Sequence, residues 1–227
     1  VNKAKYNDEK TREQELQAIE QIARKALLAG KYNIDLDAST LVDNAALDKI
    51  LAFQKAFLDR YLRANPDLLK GFDENGVKAL RRELVDKIEM KEIEFLTEAQ
   101  HAEIRGLYNE MHKTNAEVNM RFIKYIRNLE KELGITRPVS IGIEERHVDD
   151  PKHKNNPSTV LGSMTLAQTI LEACKEAGIV GPSKMSLQTG TMHGVGGTVD
   201  FGIYKRHLKY AKQIGIAVFV QHGASTL

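Results

Sequence analysis

The sequence predicts an α/β fold with a parallel sheet. Short apolar or alternating runs recur at residues 32–37, 139–143, 184–189 and 216–220. Stretches of helical periodicity separate them, and the last two runs lead directly into glycine-bearing turns. Apolar strands that alternate with helices are the grammar of parallel sheets.

The elements follow in order. Thr11 and Gln14 form a capping-box pattern, and Leu16, Ile19, Ala23, Ala26 and Leu27 recur at helical spacing until Gly30. Residues 32–37 then alternate apolar and polar, which predicts a strand. Residues 45–133 are rich in helix formers and broken mainly around Asn65-Pro66 and between Gly71 and Gly76. Leu80, Leu84, Val85, Ile88, Ile93 and Leu96 make one stripe; Leu107, Met111, Val118, Phe122, Ile126 and Leu129 make another. Three or four helices are expected, with their stripes buried against each other or against a partner. After Gly134 come a strand at 139–143, a polar His-containing loop at 144–157, and a helix at 165–177 stopped by Gly178. A strand at 184–189, a helix at 201–213 and a strand at 216–220 complete the chain. The expected organisation is residues 1–44 as helix plus strand, 45–134 as a helical block with an insertion at about 65–115, and 135–227 as three further strands.

The 227 residues carry 33 Lys and Arg against 31 Asp and Glu, a balance that argues against nucleic-acid or membrane attraction. No apolar run approaches the roughly 20 residues of a membrane span. One cysteine excludes an internal disulfide and points to a reducing, cytoplasmic setting. The chain starts at Val1 and stops just after a Gly/Ser segment, which reads as a fragment cut at both ends.

Two histidines occupy equivalent places in consecutive units. His193 and His222 each follow a predicted strand and each precedes a glycine. Sites in α/β proteins form at the C-terminal ends of strands, so adjacent strands would deliver both imidazoles to one cleft. Glu144, at the end of the preceding predicted strand, would add a carboxylate, and such a donor set suits zinc or a similar divalent ion. The alternative is that both histidines are structural. Gly223-Ala224-Ser225-Thr226 and the turn containing Gly194, Gly196 and Gly197 have the small-residue texture of phosphate-cradling loops, or of ordinary tight turns. Asp35 and Asp37 share a strand face and either meet a polar site or cap the next helix. The cluster of Glu145, His147, Asp149, Asp150 and His153 reads as a polar loop. His101, His112 and His207 fall in helices and need no function, and Cys174 reads as buried.

Gln188-Thr189-Gly190-Thr191-Met192-His193-Gly194 and Val220-Gln221-His222-Gly223-Ala224-Ser225-Thr226 resemble the two C-terminal histidine motifs of class II, metal-dependent fructose-bisphosphate aldolases and their ketose-bisphosphate aldolase relatives. The segments at 32–39 and 139–144 resemble two earlier strands of that family, in the same order. The resemblance implies a (β/α)8 barrel, incomplete in this chain, with about four strands and an inserted helical block. It implies that His193 and His222 bind zinc or another divalent metal, and that Gly194, Gly223 and Ser225 hold the phosphate of dihydroxyacetone phosphate with help from a monovalent cation. Glu144 matches a carboxylate near the metal. The implied activity is reversible aldol cleavage of a ketose bisphosphate by a homo-oligomer, a dimer or tetramer. Several features depart from the family pattern. No histidine-aspartate strand motif precedes Tyr32, so the expected acid/base aspartate lies upstream of this chain, and Glu144 is the catalytic candidate within it. The strand carrying an Asn and an Asp is expected beyond Leu227. Glu145-Arg146-His147 stands where relatives have glycine-rich text, and Val195 to Thr198 replace a common tyrosine and lysine. The competing expectation is a non-catalytic barrel relative kept for assembly, with the helical block as its interaction surface.

Overall fold

The computed structural model describes residues 9–36, 38, 41–146, 156–189, 199–216 and 218–220. In chain order these form α1 (Glu9–Leu28), β1 (Asn33–Leu36), α2 (Asn44–Ala64), a 3-10 turn (Pro66–Leu69), α3 (Glu74–Glu89), α4 (Glu98–Glu132), β2 (Ser140–Glu144), α5 (Val160–Glu176), β3 (Lys184–Ser186), α6 (Phe201–Tyr210) and β4 (Val218–Val220). The class is α/β, mostly helical, with one four-stranded sheet ordered β1-β2-β3-β4 and parallel throughout.

Most elements match the expected pattern, and the differences have local causes. α1 begins before Thr11, which therefore lies inside the helix and not at its cap. Glu9 and Lys10 are good helix formers and extend it upstream. Gly30 and Gly178 do stop their helices, each in the left-handed region at φ +74° and +65°. α5 starts five residues earlier than expected, because the Thr159 side chain accepts from Gly162 N and caps it there. Asp43, rather than Asp35 or Asp37, caps α2, accepting from the Ala45 and Ala46 amides. The second helical stripe lies along one unbroken 35-residue helix, α4, opened by a capping box between Thr97 and Gln100.

The register sorts the sheet into two unlike faces, since alternate residues of a strand point oppositely. Asn33, Asp35, Ser140, Gly142, Glu144, Lys184 and Ser186 share one face with Val218 and Val220. Ile34, Leu36, Ile141, Ile143, Met185 and Phe219 point the other way, into the main core with residues of α1, α4, α5 and α6. The helices thus cover the apolar face, and the opposite face is polar except at β4. Complete burial of Ile141 and Met185 contributes about 2 kcal/mol each to holding the helices on the sheet.

α4 grips β2 at both ends. Near its C-terminus, Arg127 Nη1 donates to Glu130 Oε1 at 2.5 Å and to Val139 O at 3.1 Å, and Arg127 Nε donates to Val180 O at 2.8 Å. Farther up, buried Asn115 donates from Nδ2 to Glu144 O at 3.0 Å and Glu145 O at 3.3 Å. The N-terminal part of α4 leaves the sheet, where Ile104, Tyr108 and Met111 pack with Ala46, Leu47 and Ile50 of α2. A third cluster joins Phe57, Leu58 and Leu62 of α2 to Leu84, Val85 and Ile88 of α3, with Ile93 and Leu96 packed against it. The helical block therefore buries its first stripe within itself and most of its second stripe against the main core of the sheet.

Candidate functional site

The C-terminal ends of the strands are where the sequence places the chemistry. Glu144 is the last residue of β2, only 4% exposed, and in register with Ser186 of β3, which in turn pairs with Val220 of β4. β3 and β4 are adjacent and parallel, so their C-terminal ends lie side by side. His193, Gly194, His222, Gly223 and Ser225 lie in those segments, outside the described residues, as do Asp37, His147, Asp149, Asp150 and His153. Among the described residues no group of three or more His, Cys, Asp or Glu side chains could hold a metal ion.

Deeper on the same polar face, Lys184 is 8% exposed and its Nζ lies 2.6 Å from Asp35 Oδ1; it also donates to Asn33 Oδ1. This pair reaches across β2 at Gly142. A Cβ on Gly142 would overlap the Asp35 carboxylate and stand 3.4 Å from Lys184 Cε, so only glycine leaves the ion pair its room. Asp35 therefore serves a cross-strand bridge on the polar face.

Behind the strand ends lies a buried network that residue patterns alone do not reveal. Glu145 and Arg146, expected in an open polar loop, are 1% and 5% exposed. Ser158 Oγ donates to the Glu145 carboxylate, Gln188 N donates to Ser158 Oγ at 2.8 Å, and Glu145 N donates to Ser186 O at 3.0 Å. His112 Nε2 stands 3.5 Å from Glu145 Oε1. Burial raises the Glu145 pKa, but His112, Arg146 and Ser158 together outweigh it and hold the carboxyl down at about 2. Glu145 is thus a fixed anion. Its carboxylate accepts the hydrogen bond of the Ser158 hydroxyl directly, so the three residues are not ordered as a serine nucleophile with a histidine base. Cys174 is buried, as its helical neighbours suggest.

A second buried network joins the helical block to the N-terminal end of α5. Glu89 is 1% exposed; it accepts from Gln54 Nε2 at 2.8 Å and from Tyr108 Oη at 3.1 Å, and Tyr108 Oη meets Thr159 Oγ1 at 2.7 Å. Burial pushes the Glu89 carboxyl up to about 8, with nearby Asp86 adding to the rise. Asp86 is itself raised, first by burial, and is steadied by Arg206 and by the Val160 amide at 2.9 Å. Buried His207, on α6, meets Ser163 Oγ at 2.9 Å through Nε2 and Ile203 O at 2.8 Å through Nδ1. Burial lowers its pKa and favours the neutral ring, a structural role in line with the sequence reading. The available sequence signal for Asp86 and Glu89 was their position on α3 beside the Leu84, Val85 and Ile88 stripe. Charged residues there ordinarily meet solvent.

No helix among the described residues is long and apolar enough to cross a membrane. Comparisons with protein-family models, with curated proteins and with solved structures return no match to this chain.

Proposed function

We propose that this chain is part of a cytoplasmic, class II aldolase-like lyase of the (β/α)8-barrel type, cleaving a ketose bisphosphate to dihydroxyacetone phosphate and an aldehyde. The observation that carries this is the coincidence of two features. The sheet keeps its sequence order without reversal, with helices against one face and polar residues on the other. The two His-Gly pairs come after its adjacent strands β3 and β4, His193 seven residues past Ser186 and His222 two past Val220. A doubly wound sheet reverses its strand order and carries helices on both faces, whereas a barrel wall does neither.

The donor chemistry fits a divalent ion. His193 and His222 would hold it, with the Glu144 carboxylate at the neighbouring strand end. When bound, such an ion supplies Lewis-acid polarisation of a ketone oxygen. Gly194, Gly223 and Ser225 would receive the substrate phosphate through backbone N–H groups and a hydroxyl, with a monovalent cation as support. Asn115 holds the backbone on either side of the Glu144–Glu145 peptide, which restricts where the Glu144 carboxylate can go. Lys184 and Asp35 neutralise one another below this region and keep the polar face assembled. Glu144 is the candidate proton-transfer residue within this chain, and assembly into a homo-oligomer belongs to the same proposal.

Metal analysis and fructose 1,6-bisphosphate cleavage by the intact protein test the proposal. Stoichiometric zinc lost in His193→Ala and His222→Ala, with cleavage lost in parallel, is the expected result. An intact protein that binds no divalent metal and cleaves no ketose bisphosphate overturns it.

A further inference from the structure

A cavity of about 640 Å³ lies between α2, α3, α6 and the segment leading into α5, away from the polar face of the sheet. Its walls present four cations, Lys55, Arg81, Arg82 and Arg206, against two carboxylates, Asp48 and Asp86. Asp86 is buried and already engaged by Arg206 and the Val160 amide. Arg81 is steadied by Asp59 at 2.7 Å and Arg82 by Asp200 at 2.9 Å, both partners standing outside the cavity lining. Each of these pairs engages one nitrogen of a guanidinium that carries five N–H donors. The carboxylates thus orient the arginines without consuming their hydrogen-bonding capacity. Leu51, Leu58, Val85 and Pro157 supply apolar wall between the charges.

We infer that this cavity binds a small organic phosphate monoester. With Asp59 and Asp200 counted the charges around the cavity balance, so what selects a phosphate is the cluster of three guanidinium forks, whose remaining N–H donors suit phosphate oxygens bidentately. The apolar wall suits an organic body, and the volume is that of a small-molecule pocket rather than a polymer-binding surface. Three of the four cations sit on α2 and α3, so the helical block would supply most of the recognition. None of the described residues that line the cavity belongs to the His-Gly motifs, and the inference does not rest on the aldolase proposal.

Calorimetric titration of the intact protein with phenyl phosphate tests it, with phenol and inorganic phosphate as the parts. Phenyl phosphate is expected to bind saturably and more tightly than either part. Loss of one charge-assisted contact, at about 1.5–3 kcal/mol, weakens binding roughly tenfold or more in Arg82→Gln, and Lys55→Gln weakens it in the same direction. Lys55 is exposed, so its variant keeps the test valid should Arg82→Gln fold poorly. His193→Ala and His222→Ala leave this affinity unchanged. Absence of saturable binding up to about 10 mM overturns the inference. So does affinity that follows the two histidines and ignores Lys55 and Arg82, or inorganic phosphate binding as tightly as the monoester.

Discussion

Replacing Glu89 by Gln should remove a large pH dependence from the stability of this protein. The carboxyl is fully buried against Tyr108 and Gln54, and its pKa is raised from an ordinary 4.5 to about 8. The folded state therefore holds the proton more tightly than the unfolded chain. The stabilisation from this group is complete below the unfolded value, declines as pH rises, and is gone once pH passes the folded value. At about 1.4 kcal/mol per pKa unit, the difference is roughly 4–5 kcal/mol across the window from pH 4.5 to above pH 8, and most of it has gone by pH 7. That is a large share of the roughly 5–15 kcal/mol by which domains are stable. A glutamine keeps the shape and still accepts from Tyr108 or Gln54, but cannot ionise. Urea unfolding of both proteins through this pH range measures the difference, and subtracting the two curves cancels every titration they share. The variant should gain on the parent steadily with rising pH. Parallel curves would refute the reasoning, because they would mean that Glu89 carries no shifted proton.

Two further substitutions probe the framework of the site. Gly142→Val places a side chain where Asp35 and Lys184 meet, so the ion pair must open and the sheet shift; overpacking of this kind costs about 1–3 kcal/mol, read as a lower urea midpoint. A midpoint unchanged from the parent would show that the bridge is not needed. Asn115→Leu strips the donor from the Glu144 and Glu145 carbonyls and should cost about 1–3 kcal/mol, with faster amide exchange at the end of β2. Loss of stability without a change in that exchange would place the effect elsewhere along α4.

Much of the fold was legible because it depends on near neighbours. Gly30 and Gly178 stop helices since a left-handed residue disfavours a Cβ, and that shows in the residue itself. The stripes on α3 and α4 pointed to their buried faces, and the alternation at residues 32–37 pointed to β1. Even Ile93 and Leu96, which fall beyond the end of α3, pack against the cluster that their stripe suggested. The start of α1 was misread at Thr11 because a capping pattern is a preference, and helix-forming residues upstream outweighed it. For the site, the sequence singled out Glu144 at a strand end, and the structure puts it there.

By itself, then, the sequence determined an α/β chain with parallel strands, helices between them and chemistry-bearing residues after the strand ends. Only the tertiary structure decided which charges are taken out of water. Lys184 meets Asp35 across 149 positions, Arg206 meets Asp86 across 120, and Glu145 is enclosed by His112 of α4 and Ser158 of the segment before α5. A periodic pattern reports which way a side chain points from its own backbone. Whether a carboxylate can be buried depends on a donor that reaches it from elsewhere in the chain, and no local pattern contains that donor.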